Sequence, residues 1–247
     1  MIMNLELRTR VFIHRNIPYA FNWNISNHKM KVMELGAERQ ELRNLIKFLK
    51  IVSKGKIPNN TFNSRDIPRI SQFKLRGIKQ AYLSALSKKL IRSGKIKYLD
   101  ENFRLSQYAR KVHEVFKEKQ KKPKHEPILK NILIKDKNSI AIEVPIWSKI
   151  NNNWLTGHID LLQIEGETIK VVDYKPEGKF IVSLPQVASY GLLVKRMFNL
   201  KNVLCVSFNK FEAWEFKPEI LLNDVKEYLN SIKFKERIWE KYFELKE

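Results

Sequence analysis

The chain has 247 residues, 43% of them apolar, with 8 Gly, 9 Pro and a single cysteine, a composition that can bury a core and excludes a disordered tail. Apolar runs are broken by charge well before the roughly 18 to 20 residues of a membrane span, and the N-terminus has no signal-peptide pattern, so a soluble cytoplasmic protein with no membrane partner is expected. The formal charge is +21, and Cys205 alone excludes an internal disulfide, a thiolate zinc site and an iron-sulfur cluster.

The charge is unevenly spread. Residues 1–112 hold 24 Lys and Arg against 7 Asp and Glu, while residues 113–247 hold 23 against 19. A basic N-terminal half suits a polyanion, and DNA, single- or double-stranded, is the first expectation for an intracellular protein. A membrane surface or plain solubility is the alternative.

In residues 1–38, Leu5, Leu7, Val11 and Ile13, then Tyr19, Phe21 and Trp23, alternate around polar His14-Arg15-Asn16. This pattern predicts a small hairpin, which either covers the edge of another sheet or makes a homodimer contact. From Glu38, Leu42, Leu45, Ile46, Leu49 and Val52 recur at three- and four-residue steps until Gly55 and Pro58, predicting an amphipathic helix. A short segment from Ile67 to Phe73 contains Pro68, and a second helix is predicted from about Leu75 to Ser93. That helix sets Leu83, Leu86 and Leu90 on one face and Lys79, Gln80, Ser84, Ser87 and Lys88 largely away from it. Ile96 to Leu99, turn-like Asp100-Glu101-Asn102, and Phe103-Arg104-Leu105 read as a hairpin.

Helix, short helix, polar-faced helix and hairpin resemble a winged helix-turn-helix over residues 39–108. The resemblance implies DNA binding, with Lys79, Gln80, Ser84 and Lys88 on a helix that enters the major groove and Lys95, Lys97 and Arg104 on a wing that meets phosphates. A solvated basic face is the plainer reading of the same residues.

After Tyr108 a helix is predicted through Ala109, Val112, Val115 and Phe116 into a lysine run, Lys117 to Lys124, punctuated by Pro123 and Pro127. Ile140 to Ile146, Thr156 to Ile164 and Thr168 to Tyr174 predict an antiparallel meander, with Gly166 in the last turn. Gln186 to Phe198 reads as a helix, Val203 to Phe208 as a buried strand and Pro218 to Ile232 as a final helix, followed by a helical tail with Trp239, Tyr242 and Phe243.

The meander carries acids among apolar neighbours: Asp160 in GHIDLL and Asp173 in KVVDYKP. A carboxylate buried there needs a cation, a donor or a metal. Lys175 follows Asp173 by two and therefore shares its face. Two carboxylates from adjacent strands beside a lysine suit a hard divalent cation, Mg²⁺ or Mn²⁺, with the lysine orienting water or meeting charge on a phosphate.

In this region the sequence resembles the PD-(D/E)XK nuclease superfamily, in particular its RecB-like branch, over roughly residues 109–208. Asp160 in GHIDLL matches the Gly-x-x-Asp motif, Asp173-Tyr174-Lys175 the Asp-x-Lys motif, and Gln186 to Tyr190 the Gln-x-x-x-Tyr motif. RKVHEVF resembles the branch's helical histidine motif, and Glu143 in IEVPI corresponds to an acid near the metal. The resemblance implies an α+β or α/β, restriction-endonuclease-like core, with a mixed central sheet flanked by helices, over residues 109–247. It also implies metal-dependent hydrolysis of DNA phosphodiesters. Asp160, Asp173 and Lys175 would be catalytic, and Asp160, Asp173, the Tyr174 carbonyl, His113 and Glu143 would hold the metal. Gln186 and Tyr190 would orient the lysine or contact DNA. Pro176 departs from the Thr or Ser usual after the lysine.

Plainer readings stand beside these: an Asp173–Lys175 ion pair at a strand end, His113 as an ordinary helix residue, Tyr190 as core, and Gln186 as a cap or surface residue. At the level of the whole chain, the alternatives are a catalytically inactive DNA-binding regulator or assembly factor that retains the nuclease fold, and a structure-specific resolvase or transposon-type endonuclease.

Overall fold

The computed structural model describes residues 6–35, 40–178 and 180–243. Strands β1 (Leu7–His14) and β2 (Ile17–Asn24) form the hairpin expected at the N-terminus, closed by Arg15 and Asn16 with φ of 51° and 63°. Two left-handed residues in succession match the right-handed twist of the flanking strands. Asn22 and Trp23 of β2 pair with β4 (Ser139–Ile150), so the hairpin extends a larger sheet. Leu5 and Glu38 lie outside the described residues.

Helix α1 (Ile25–Leu35) precedes α2 (Gln40–Ser53), which buries Leu42, Leu45, Leu49 and Val52 as its apolar stripe requires. Short α3 (Asn59–Asn63), a 3-10 turn at Ile70–Gln72, and α4 (Gln80–Arg92) follow, with Leu83, Leu86 and Leu90 of α4 buried. The hairpin expected after α4 does not form. Strand β3 (Ile96–Leu99) pairs instead with β8 (Ala213–Phe216), and Arg104 opens helix α5 (Arg104–Glu118). Leu105 and Ala109 are both buried on α5. Their four-residue spacing is helical, and three alternating residues, Phe103 to Leu105, are too few to distinguish a strand from a first turn.

Helix α6 (His125–Lys135) carries Pro127 in its first turn, where a missing N–H breaks no intrahelical bond, so this proline starts a helix rather than ending a segment. Strands β4, β5 (Asn153–Glu165) and β6 (Thr168–Tyr174) form the antiparallel meander. Helix α7 (Phe180–Phe198) begins ahead of the expected Gln186, with Pro185 inside it, and leads to β7 (Val203–Phe208) parallel to β6. A parallel pair needs such a crossover. The helix expected from Pro218 is split into a 3-10 turn (Pro218–Leu221) and α8 (Asp224–Ser231), and the tail adds a 3-10 turn at Ile238–Lys241.

The strands of the described residues belong to one eight-stranded sheet, ordered β1-β2-β4-β5-β6-β7-β8-β3 and antiparallel except at β6–β7, which makes a mixed α+β fold. Because β1, β2 and β3 share the sheet with the meander, it crosses the boundaries expected at residues 38 and 108. On one face, Leu105 and Ala109 of α5 and Ile128, Leu129, Ile132 and Leu133 of α6 pack against Ile142, Leu161, Val172 and Val206. Helices α2, α4 and α7 cover the other face. Among the described residues no helix is long and apolar enough to cross a membrane.

Candidate metal centre

The registers of β4, β5 and β6 set three carboxylates at one level of neighbouring strands. Ile142 pairs with Leu161 and Val144 with Ile159, which sets Glu143 across from Asp160. Leu161 pairs with Val172, so one further step sets Asp160 across from Asp173. Regular pleating breaks at this level. In a regular strand, residues two apart share a face, yet Ile142 packs with α5 and α6 while Val144 packs in the opposite cluster, and Leu161 and Ile159 divide in the same way. Glu143 sits at the break with φ 49°. A non-glycine residue in this region costs about 1–2 kcal/mol and is retained where the surrounding structure holds it. Between β5 and β6, the Tyr174 N–H donates to Asp160 Oδ2 at 2.9 Å, a side chain standing where a strand carbonyl would otherwise accept.

Asp173 is 2% exposed. Its Oδ1 accepts a hydrogen bond from Gln186 Nε2 at 3.3 Å, and its Oδ2 is paired with the Lys175 ammonium, Nζ at 2.7 Å. Lys175 Nζ also donates to Gln186 Oε1 at 3.4 Å. Asp173 on β6, Lys175 just beyond its end and Gln186 on α7 thus close a triangle.

Burial pushes the Glu143 carboxyl up to about 8, helped by the charges of Asp160, Glu126 and Asp173. Burial, and then Asp160, push Asp173 up to about 6 against the opposing pull of Lys175. Burial also works against the Lys175 ammonium, but Asp173 and Asp160 outweigh it and raise its pKa above the ordinary lysine value. Burial leads both carboxyl shifts, and the neighbouring acids add to it.

The histidines divide differently from expectation. His113 on α5 reaches the Tyr174 hydroxyl (Nε2 at 2.9 Å) rather than a carboxylate. Burial lowers its pKa and pushes the tyrosine up to about 12, so a neutral imidazole faces a protonated phenol at neutral pH. His125, at the first turn of α6, is the histidine beside the acids, with Nδ1 3.7 Å from Asp160 Oδ2. Contact with Asp160 outweighs burial and raises its pKa. Sequence reasoning passed over it because it follows a lysine run and precedes a proline. Its signal was the Pro127 two residues on, a helix-start mark.

Tyr190 is core. Its hydroxyl accepts the His158 N–H at 3.2 Å, and its ring lies so close to β5 that a Cβ on Gly157 would fall 2.5 Å from Cε1. The glycine of GHIDLL and the tyrosine of the Gln-x-x-x-Tyr run are thus two sides of one contact, which ties α7 to β5 three residues from Asp160. Gly157→Ala is expected to destabilise the protein by about 1–3 kcal/mol through overpacking. A chemical-denaturation midpoint equal to that of the unaltered chain would contradict this contact.

The basic residues expected to meet DNA lie on other elements. Lys79, Gln80 and Lys88 are exposed at the start and along the outer side of α4, with Ser84 half-buried. Exposed Lys97 lies opposite Glu215 in the β3–β8 register, and Lys95 is 3.7 Å from Asp224. Arg104 is not on a wing: its guanidinium is held 2.8 Å from buried Asp136.

The chain matches no family model, no curated protein and no solved structure. The chemistry is accordingly read from the site's own atoms. Among the described residues no three His, Cys, Asp or Glu side chains converge as a ready-made metal cage; the Lys175 ammonium is the cation in contact with Asp173. The donor types nevertheless suit a hard divalent ion: oxygen ligands from carboxylates at one level of three neighbouring strands.

Proposed function

We propose that the chain is a divalent-metal-dependent deoxyribonuclease of the PD-(D/E)XK type that hydrolyses phosphodiester bonds. The observation that carries this reading is the placing of Glu143, Asp160 and Asp173 at one level of three neighbouring strands, with Lys175 against Asp173 and Gln186 bonded to both. Asp160, Asp173 and Glu143 would hold Mg²⁺ or Mn²⁺. When bound, such an ion supplies a Lewis acid for a phosphoryl oxygen and lowers the pKa of its water.

The chain's own groups do the rest. Lys175 remains an ammonium at neutral pH, so it can meet negative charge growing on a phosphate. Gln186 fixes where that ammonium points. His125, beside Asp160, is placed to hold or pass a proton at the edge of the site. Basic residues of the N-terminal half supply the attraction for DNA.

The test is incubation of the purified chain with end-labelled single- and double-stranded DNA in Mg²⁺, in Mn²⁺ and in chelator. Cleavage in either metal that stops in chelator is expected; intact DNA in both metals would overturn the reading. The direct Lys175–Asp173 contact is the one feature that suits a catalytically silent DNA-binding domain, for which DNA would be bound and left intact.

A further inference from the structure

A second group of charged side chains lies beside the carboxylates. Arg69 is 7% exposed, and among the described residues its guanidinium hydrogen-bonds to neutral oxygens: Nη1 donates to the Tyr19 hydroxyl at 3.2 Å and Nη2 to the Phe62 carbonyl at 3.4 Å. Arg15, in the hairpin turn, donates through Nη2 to the carbonyls of Ser64 and Ile67, and its N–H is held by Asn63 Oδ1 at 2.7 Å. The Nε donors of both arginines are buried without a partner. Arg65 is exposed and close enough to act on Arg15 electrostatically. Ile13, Arg15, Asn16, Asn63 and Arg65 line a cleft of about 420 Å³. Positive charge held this way, with donors left over and no ion-paired carboxylate among the described residues, is costly unless an anion completes it.

The cluster is connected to the acids. The Tyr19 ring stacks on His158 with centroids 3.6 Å apart, and Tyr19 lies within electrostatic reach of Arg69, Glu143 and Asp160. Arg69 itself forms a bridge with Thr156 on β5. From Thr156 to Asp160 is about 13 Å along the strand, or about four steps of rise in a nucleic-acid strand.

We propose that Arg15 and Arg65, with Asn63 and with buried Arg69 adding positive charge behind them, form a phosphate anchor that grips a backbone phosphate a few nucleotides from the bond cut at the carboxylates. The anion site stands on its own geometry; that its phosphate belongs to DNA rests on the nuclease reading. Planar guanidiniums suit phosphate oxygens, and the Tyr19–His158 stack marks the path from anchor to acids.

Fluorescence anisotropy of a labelled single-stranded 20-mer in chelator, where no cleavage interferes, tests the anchor with the full chain. Arg65→Ala and Arg15→Ala are each expected to weaken binding about tenfold and to lower the slope of log K against log salt by about 0.7. Lys201→Ala, beyond the opposite end of the sheet, should bind as the unaltered chain does. Arg65 is exposed and makes no hydrogen bond or ion pair among the described residues, so its variant keeps the fold and decides the outcome. Unchanged affinity and slope for Arg65→Ala would overturn the anchor. If the unaltered chain binds no DNA, the nuclease reading falls and inorganic phosphate decides the anchor. Phosphate should then raise the thermal midpoint of the unaltered chain above that in chloride of equal ionic strength, but not that of Arg65→Ala; equal midpoints would overturn the anchor as well.

Discussion

Asp173→Asn is expected to lower metal-dependent DNA cleavage by roughly 10³-fold or more while leaving DNA binding in chelator unweakened. Asp173 is enclosed by β6 and α7, with the Lys175 ammonium 2.7 Å from its Oδ2. The amide retains the shape and the Gln186 contact but removes the charge that a divalent ion requires. Lys175→Met is the complementary change: it should slow cleavage by about 10²- to 10³-fold and leaves the Asp173 carboxyl without its cation, so it is expected to lose stability as pH rises and Asp173 ionises. Rates from quenched gel assays, beside thermal midpoints of each variant, separate the two effects. Equal cleavage by Asp173→Asn and the unaltered chain would place the chemistry elsewhere.

The second large effect is on stability. Glu143 is pushed from an ordinary value of 4.5 up to about 8, first by burial and then by Asp160, Glu126 and Asp173. A carboxyl with a raised folded pKa binds its proton more tightly folded than unfolded, so the stability it contributes is complete below about pH 4.5 and is lost as pH rises towards 8. Metal-free protein should therefore lose stability across that window. Glu143→Gln removes this loss and is expected to be more stable than the unaltered chain at pH 8 by on the order of 3 kcal/mol, with little difference at pH 4. Mg²⁺ or Mn²⁺ should stabilise the unaltered chain more at pH 8 than at pH 5, because the ion binds the ionised carboxylates. Urea unfolding at the two pH values, with and without metal, reads both. A Glu143→Gln difference that does not grow with pH would contradict the crowding of these acids.

Much of this site was legible in the sequence because it depends on local rules. Two-residue periodicity placed Asp173 and Lys175 on one face, apolar neighbours marked Asp160 and Asp173 as carboxylates needing a partner, and the family resemblance picked out Gln186 and Tyr190 on the following helix. The hairpin at Arg15-Asn16 and the meander were legible for the same reason. What was not legible depends on distant pairing. Nothing local distinguishes a β3 that turns back on Phe103 to Leu105 from one that joins β8, more than a hundred residues later. The left-handed backbone at Glu143 follows from the registers of three strands together, and its pattern IEVPI reads as ordinary alternation. His125 was hidden by local signals pointing the wrong way, since lysines and prolines suggest a linker until α6 is seen to begin there. Arg69 drew no notice because its burial comes from β2, α3 and β5 meeting around it.

Crystals of the chain grown with Mn²⁺ and measured at the manganese absorption edge test the central claim most directly. An anomalous peak lying among Glu143, Asp160 and Asp173, and absent from Asp173→Asn crystals, is the predicted result. Manganese bound elsewhere, or no peak among these carboxylates at saturating metal, would contradict the account.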